Sequence, residues 1–219
     1  MSVIAFNNAT NGGNALATSL TFAHTCSGAN RFLVVVVTDM NATTTGVTYN
    51  GVAMTLLNTQ TGYGESFWYL VNPASGTNNV VVTKSAGAAS VGAVAASYTG
   101  VNQTTPIDSQ SATTNSTTAS VSASTTVVAS NCWVIGVTSE NNNSSMNTVS
   151  GNLTQRVNQN WYASSNQLVA LIYDSNATVS SGSNTVTSTK SSGINWVQVA
   201  AISIAPAPLS NTGAFFQFM

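Results

Sequence analysis

Apolar and polar residues alternate along most of the chain with a period of two rather than 3.6. Stretches such as 47–57 and 184–189 alternate apolar with small polar residues, which suits strands with one buried and one exposed face. Turn-forming pairs such as Asn50-Gly51 and Asn72-Pro73 separate these stretches at regular intervals. No segment has a convincing helical stripe. The pattern therefore predicts an all-β protein.

The turn signals divide the chain into strands that begin roughly ten residues apart, a spacing typical of sandwiches and jelly rolls. The Ala-rich segment 86–96 is assigned to a strand in its second half, because small residues alternate there. We expect an antiparallel β-sandwich that is jelly-roll-like. The predicted strands are 2–7, 19–23, 31–38, 47–49, 52–60, 65–70, 79–84, 90–99, 119–122, 131–139, 154–158, 166–174, 184–189 and 196–205.

A weak internal repeat is visible at a spacing of about 100 residues. Residues 32–38 resemble 132–138, and residues 90–98 resemble 196–204, in the same order along the chain. One large jelly roll and two stacked sandwiches both fit such a repeat.

We expect a single domain over residues 1–206, because each half alone would have a thin core. Residues 104–118 are rich in Ser and Thr and are interpreted as a linker between the halves. Residues 207–219 are expected to leave the fold as an aromatic tail.

Charged residues make up only 4% of the chain, and the net charge is −1. Four Lys and Arg residues cannot form a patch that follows phosphates, so we expect no nucleic-acid partner. The longest apolar run is far shorter than the roughly 20 residues of a membrane helix, so we expect no membrane insertion. The first residues lack a basic region and a long apolar region, which predicts no signal peptide and synthesis in a host cytoplasm.

Residues suited to catalysis are scarce, and the sequence predicts neither an enzyme nor a cofactor. The one histidine, His24, ends a predicted strand and is interpreted as a packed residue rather than a catalytic base. Cys26 and Cys132 fit either one disulfide bridge or two buried free thiols.

Two acidic residues follow strands that are equivalent in the repeat. Asp39 lies in Thr-Asp-Met-Asn and Glu140 in Thr-Ser-Glu-Asn. Carboxylates at strand ends, with Asn and backbone carbonyls nearby, can bind calcium, so these two residues are a candidate metal site. Exposed loop acids that aid solubility are the alternative interpretation.

Aromatic residues in polar segments are candidates for binding a glycan. They are Tyr63, in Thr-Gly-Tyr-Gly, and Trp161 with Tyr162, in Asn-Gln-Asn-Trp-Tyr-Ala. Such side chains combine an apolar face with a polar tip, which suits stacking on a sugar ring. Partial burial against the sandwich is the alternative. The other tryptophans are predicted to lie in the core; they are Trp68, Trp133 and Trp196.

The end of the chain carries four large apolar side chains, Phe215, Phe216, Phe218 and Met219. Exposed contiguous apolar surface usually marks an interaction site. The tail is therefore predicted to dock onto a neighbouring subunit, for instance by adding a strand to a sheet edge. Folding back onto its own domain is the alternative.

Two segments resemble a known family. They are Tyr69-Leu-Val-Asn-Pro-Ala-Ser-Gly-Thr-Asn-Asn-Val-Val-Val-Thr and Ala95-Ala-Ser-Tyr-Thr-Gly-Val-Asn-Gln-Thr-Thr-Pro-Ile-Asp. With the segments 47–52 and 204–206, they resemble β-sandwich domains of bacterial surface proteins and of bacteriophage or metagenomic virion proteins. The resemblance covers about residues 28–206 and supplies no catalytic residues. It implies a structural or adhesive module.

These observations favour a non-enzymatic structural protein of a virion, a capsid or capsid-decoration subunit. Its expected partners are copies of itself or other virion proteins. The alternative is a carbohydrate-binding or adhesive surface module whose partner is a cell-surface glycan.

Overall fold

The computed structural model describes residues 3–40, 43–59, 65–85, 89–115, 119–141, 147–149, 152–163, 166–190 and 197–208, without the side chains of several strand-end residues. These residues form seventeen strands. In chain order the strands are β1 (Ala5–Ala17), β2 (Ser19–Cys26), β3 (Phe32–Asp39), β4 (Thr44–Tyr49), β5 (Val52–Ala53), β6 (Thr55–Thr59), β7 (Ser66–Val71), β8 (Gly76–Lys84), β9 (Ala89–Thr99), β10 (Ile107–Asn115), β11 (Ser120–Val127), β12 (Trp133–Asn141), β13 (Asn147–Val149), β14 (Thr154–Ala163), β15 (Asn166–Asp174), β16 (Gly182–Lys190) and β17 (Val197–Ile204).

The strands form four antiparallel sheets, two from each half of the chain. In the N-half, the N-inner sheet has the order β1-β9-β3-β7-β6 and the N-outer sheet has the order β2-β8-β4-β5. In the C-half, the C-inner sheet has the order β10-β17-β12-β15-β14 and the C-outer sheet has the order β11-β16-β13. The same strand order therefore occurs twice, with β10 in the place of β1, β14 in the place of β6, and β11 in the place of β2, except that the described part of the C-half has no counterpart of β5.

The four sheets lie in layers, with an apolar core in each of the three spaces between them. The N-outer and N-inner sheets enclose one core, and the C-inner and C-outer sheets enclose another. The two inner sheets pack face to face around a third, central core, to which β3 contributes Phe32, Val34 and Val36 and β12 contributes Ile135 and Val137. The prediction of an antiparallel β-sandwich is confirmed, and the layers correspond to two stacked sandwiches.

This layering explains why some strands are apolar throughout and others alternate. Strands β3 and β17 are buried along their whole length, because each belongs to an inner sheet that has a core on both faces. Strand β11 belongs to an outer sheet, and its residues are alternately exposed and buried. The uninterrupted apolar run at 32–37 is thus the pattern of a strand covered on both sides.

Short polar contacts join the middle strands of the two inner sheets, β3 and β12, near one end. The Thr38 hydroxyl on β3 donates to the Glu140 carbonyl oxygen on β12 at 2.9 Å, and the Ser139 hydroxyl donates to the Val37 carbonyl oxygen at 3.3 Å. Small hydroxyl residues at this point allow the two backbones to approach closely, so the halves share one interface.

Several local predictions can be compared directly with the structure. Asn50 and Gly51 both have positive φ, as expected for the tight hairpin between β4 and β5. The second half of the segment 86–96 lies in β9, as predicted. The predicted linker at 104–118 is wrong, because most of it forms β10, which pairs with β17 along its length. Likewise, β1 continues to Ala17, ten residues beyond its predicted end at Asn7.

Candidate functional site

The predicted metal pair lies at one end of the inner sheets but does not converge. Asp39 and Glu140 are both fully buried, so their interpretation as exposed loop acids is wrong. Side chains alternate along a strand, so Asp39 shares the face of Val37, toward the N-outer sheet, where it accepts a hydrogen bond from the Thr44 hydroxyl. By the same alternation Glu140 shares the face of Val134, toward the C-outer sheet. The two carboxylates therefore point into different sandwiches.

A third buried acid lies between them. Glu65 precedes β7, is 1% exposed, and by alternation shares the face of Phe67, toward the central core. Burial, together with the charges of Asp39 and Glu140, raises the pKa of Glu65 to about 8. Within the described part of the chain neither of its carboxyl oxygens has a hydrogen-bond partner. The neutral acid is therefore the main form at pH 7.

No group of three or more His, Cys, Asp or Glu residues in the described ranges is placed to hold a metal ion. Burial also raises the pKa of Asp39 to about 6, an effect opposed by the Thr44 hydrogen bond and the Lys84 charge. Calcium binding at Asp39 and Glu140 stays a prediction. In the described structure the two carboxylates do not belong to one set of ligands.

His24 and the two cysteines are structural residues, as interpreted from the sequence. His24 is 1% exposed and lies between the hydroxyls of Thr10 and Ser97, at 2.8 and 3.1 Å from its ring nitrogens. Burial lowers the pKa of His24 to about 4. Cys26 and Cys132 are buried free thiols, and burial raises the pKa of both.

The proposed glycan-binding residues are not gathered on a surface within the described structure. Trp161 was expected in a polar segment after a strand, but β14 continues through it, and its indole is 8% exposed in the central core. Tyr162 follows on the same strand, and its side chain lies outside the described residues, as does all of Tyr63. Of the tryptophans predicted to be core, Trp68 and Trp133 are buried, and Trp196 lies outside the described residues.

The docking residues of the tail also lie outside the described residues; they are Phe215, Phe216, Phe218 and Met219. The described chain ends at Pro208, beside a surface cavity of about 430 Å³. Ile107 and Asp108, at the start of β10, line this cavity together with Pro206 and Pro208. The tail therefore starts next to the beginning of an edge strand.

The inner sheets stack so that the edge strand of one lies over the edge strand of the other. On one side β1 lies over β14, where the Asn11 amide donates to the Gln159 side-chain oxygen at 2.8 Å. On the other side β6 lies over β10, where Leu57 and Ala112 line one cavity. Because β10 takes the place of β1 and β14 that of β6, both sides consist of equivalent strands. We name them the closed edge (β1 and β14) and the open edge (β10 and β6).

Large side chains fill the closed edge. Phe6 of β1 and Val157 and Trp161 of β14 pack against the central core. The Trp161 indole lies on Gly92 of β9, where a Cβ atom would be 2.6 Å from the ring. The absence of a side chain at Gly92 is what makes room for this indole between the sheets.

A buried ion pair fixes the same edge. The Arg156 guanidinium binds the Asp174 carboxylate through two hydrogen bonds of 2.6 and 2.9 Å, and Asp174 is fully buried. The Tyr98 hydroxyl of the N-half donates to the same carboxylate at 3.0 Å, and Arg156 lies over the Phe6 ring at 4.2 Å. The cluster thus joins the two halves.

At the open edge a cavity remains between the described residues. A cavity of about 300 Å³ lies between the sheets there, lined by Leu57, Gln110, Ser111, Ala112 and Ala200. Register makes Ala112 equivalent to Asn11, since Ala112 pairs with Ala200 and Asn11 pairs with Val94. The residue that bridges the closed edge is therefore replaced by alanine at the open edge.

Sequence reasoning missed this edge because it interpreted 104–118 as a linker. The available signal was the alternation of small residues in Ser109, Ser111 and Thr113 with Gln110 and Ala112. That signal is weak, since Ile107 alone among residues 104–118 is a large apolar residue.

The outer face of the C-outer sheet carries a row of hydroxyls. Ser120, Ser122 and Ser124 of β11 each share a hydrogen bond of 2.7–3.0 Å with a threonine of β16. Exposed Ser and Thr side chains thus take the place of charged side chains in keeping this face hydrated.

The described residues include no helix of the length and hydrophobicity needed to cross a membrane. No protein-family model matches the chain, and no curated protein and no solved structure matches it.

Proposed function

We propose that the protein is a non-enzymatic structural subunit of a virion, a capsid or capsid-decoration protein that assembles through apolar and β-edge contacts. The observation that carries the proposal is the open edge, an unfilled space beside a terminal strand, next to the point where an aromatic tail begins. A chain with both an apolar tail and an open sheet edge has the two parts that assembly by strand addition requires.

The strand order supports the proposal at the level of architecture. If β5 and β6 count as one strand that crosses between sheets, the N-half has eight strands in the orders 1-8-3-6-5 and 2-7-4-5, with strand 5 taking part in both sheets. We infer that each half is a jelly roll, an arrangement common in viral capsid and lectin domains. Because a fold alone does not define a function, this inference supports the structural role without selecting it over sugar binding.

The composition of the surface supports the same role. Small hydroxyl side chains lose little conformational entropy when they become buried, so a face such as that of the C-outer sheet can be covered by a neighbour at low cost. The resemblance of residues 28–206 to virion β-sandwich domains agrees with this function. The alternative glycan-binding role lacks its main element, since Trp161 is buried.

Light scattering tests the proposal on the purified full chain. We expect an assembly of defined mass, and a monomer of unchanged melting temperature when Phe215, Phe216 and Phe218 are all replaced by Ser. A matched control replaces Ser120, Ser122 and Ser124 by Ala and should still assemble. A full chain that stays monomeric and binds no virion shell contradicts the proposal.

A further inference from the structure

Among the described residues, the open edge has no aromatic side chain in the space that Phe6 and Trp161 fill at the closed edge. At the closed edge Phe6, Val157 and Trp161 occupy the space between the inner sheets, whereas at the open edge that space is a cavity of about 300 Å³. An apolar protein cavity of about 150 Å³ accommodates benzene. By volume alone, this space, lined by Gln110 and Ser111 as well as by Leu57, Ala112 and Ala200, has room for one or two aromatic rings. What the open edge lacks is therefore aromatic side chains of the kind that the tail carries.

The tail has the sequence and the length to supply them. Ala207 is still buried and bonded to Gly100, so the part of the tail outside the described structure is residues 209–219, which would span about 36 Å when extended at roughly 3.3 Å per residue. In an extended segment Phe216 and Phe218 point to one face, and Phe215, Gln217 and Met219 point to the other. Two phenylalanines would thus face the cavity from a single added strand.

We propose that the tail of one copy of this chain adds as a strand to β10 of a second copy, with Phe216 and Phe218 in the cavity of the open edge. This inference rests on the proposed function and names the acceptor surface for its assembly.

Strand direction selects a second copy over the same chain. The tail begins at Pro208 beside Ile107, the first residue of β10, so a tail that ran along its own β10 would run parallel to it. Every sheet pairing among the described strands is antiparallel. Antiparallel pairing is the more stable form per residue, and a copy related by a two-fold axis brings its tail to β10 in that direction.

Cross-linking between two singly substituted full-length chains tests the proposal. One chain carries Ala112→Cys at the open edge, and the other carries Phe218→Cys in the tail, with Phe216 kept as an anchor. The two are mixed, treated with a short bismaleimide and separated on a denaturing gel. We expect a covalent dimer, which can form only between two chains.

Two controls isolate the open edge. Ser122→Cys, an exposed site on the C-outer sheet, replaces Ala112→Cys and should give about tenfold less dimer, as expected without a raised local concentration. The unsubstituted chain should give none, because buried thiols of raised pKa, such as Cys26 and Cys132, react slowly. Equal yields from residues 112 and 122 overturn the proposal.

A chain that carries both Ala112→Cys and Phe218→Cys distinguishes the source of the tail. If this chain forms an internally linked monomer at high dilution, the tail binds its own open edge, and the proposal that a second copy supplies the tail is wrong. Linked dimers in the mixture, with no internal link, support it.

The mass of the assembly tests the proposed function separately from the proposed acceptor surface. Ala112→Trp fills the cavity and should leave the full chain monomeric, whereas Ser122→Trp should not. If the Ala112→Trp chain still assembles and residue 112 forms no cross-link, the structural role stands. The open edge is then not the surface that accepts the tail. A monomeric unsubstituted chain that gives no cross-link overturns both.

Discussion

The closed and open edges are built from equivalent strands, yet one is a packed interface and the other a cavity. At the closed edge Phe6 and Trp161 fill the space between the sheets, and Asn11 bonds across it. At the open edge the position equivalent to Asn11 is Ala112 and the position equivalent to Phe6 is Ile107, which pairs with Ile204 as Phe6 pairs with Tyr98. The same backbone thus gives an internal joint on one side and an available surface on the other.

The difference shows that strand order and surface role are determined separately. Pairing and layering follow from the apolar alternation of the inner strands, which both halves have. Whether an edge is filled depends on a few side chains at positions that do not alter the strand order.

The largest effect is expected from breaking the ion pair at the closed edge. Asp174→Ala leaves the Arg156 guanidinium, which is 12% exposed, without its carboxylate, and the Tyr98 hydroxyl without its acceptor. Removing one partner of a buried pair costs about 3–5 kcal/mol of the free energy of unfolding. Urea denaturation measures the loss, and Gln110→Ala, an exposed residue at the open edge, should change it by less than about 0.5 kcal/mol. A loss below about 1 kcal/mol for Asp174→Ala would show that the closed edge is not the stabilised one.

A slightly smaller effect is expected from emptying the closed edge. Trp161→Ala removes an indole that packs on Gly92 and should cost about 3 kcal/mol, because the rigid strands around it cannot collapse into the space. Leu57→Ala, at the open edge, should cost about 1 kcal/mol or less, since a cavity already exists there. Thermal unfolding of the two variants gives the comparison directly. Equal losses would contradict the assignment of the edges as filled and unfilled.

The sequence allowed the inner strands to be predicted because burial on both faces leaves a strong apolar signal, as in 32–37 and 197–204. It did not allow β10 or the second part of β1 to be predicted. Those strands lie at sheet edges and consist largely of Asn, Gly, Ser and Thr, residues typical of turns. Their pairing with β17 and β9 is tertiary, so local composition could not indicate it.

The candidate site was predictable only in part, for a related reason. Asp39 and Glu140 could be placed at equivalent strand ends, but the layer into which each side chain points depends on sheet stacking. Trp161 looked exposed because its neighbours are polar. Its burial depends on Gly92, about 70 residues earlier in the chain, and local sequence contains no trace of that contact.

The two halves also differ at one buried position, which holds a titratable residue, His24, in the N-half and a threonine in the C-half. His24 of β2 pairs with Asn78, and Thr125 of β11 pairs with Asn184, so the two occupy equivalent positions. The pKa of His24 is about 4 in the folded chain and 6.5 as its ordinary value, so the unfolded chain binds more protons between these values. The His24 contribution to stability therefore falls as the pH drops through this window, by about 2 kcal/mol from pH 7 to pH 5, while the raised pKa of Glu65 acts in the opposite direction. His24→Thr, which copies the C-half, should remove that part of the pH dependence in chemical denaturation. An unchanged slope would contradict burial as the cause.

A smaller effect, of the opposite sign, is expected at Glu65 between pH 7 and pH 9. The pKa of this carboxyl is about 8 in the folded chain against an ordinary 4.5, so the folded state holds the proton more tightly. Its contribution is complete below pH 4.5 and is lost as the pH rises through 8, with a decrease of about 1 kcal/mol between pH 7 and pH 9. Glu65→Gln keeps a neutral group of the same size and should remove this decline, which begins near pH 4.5, so the variant should gain stability relative to the unsubstituted chain as the pH rises from 5 to 9. Position 65 is equivalent to Ala170 in the C-half, since Val36 pairs with Phe67 and Val137 with Ile172. Glu65→Ala therefore copies the C-half, and a profile that still declines above pH 7 in both variants would place the alkaline sensitivity elsewhere than in the N-half acid.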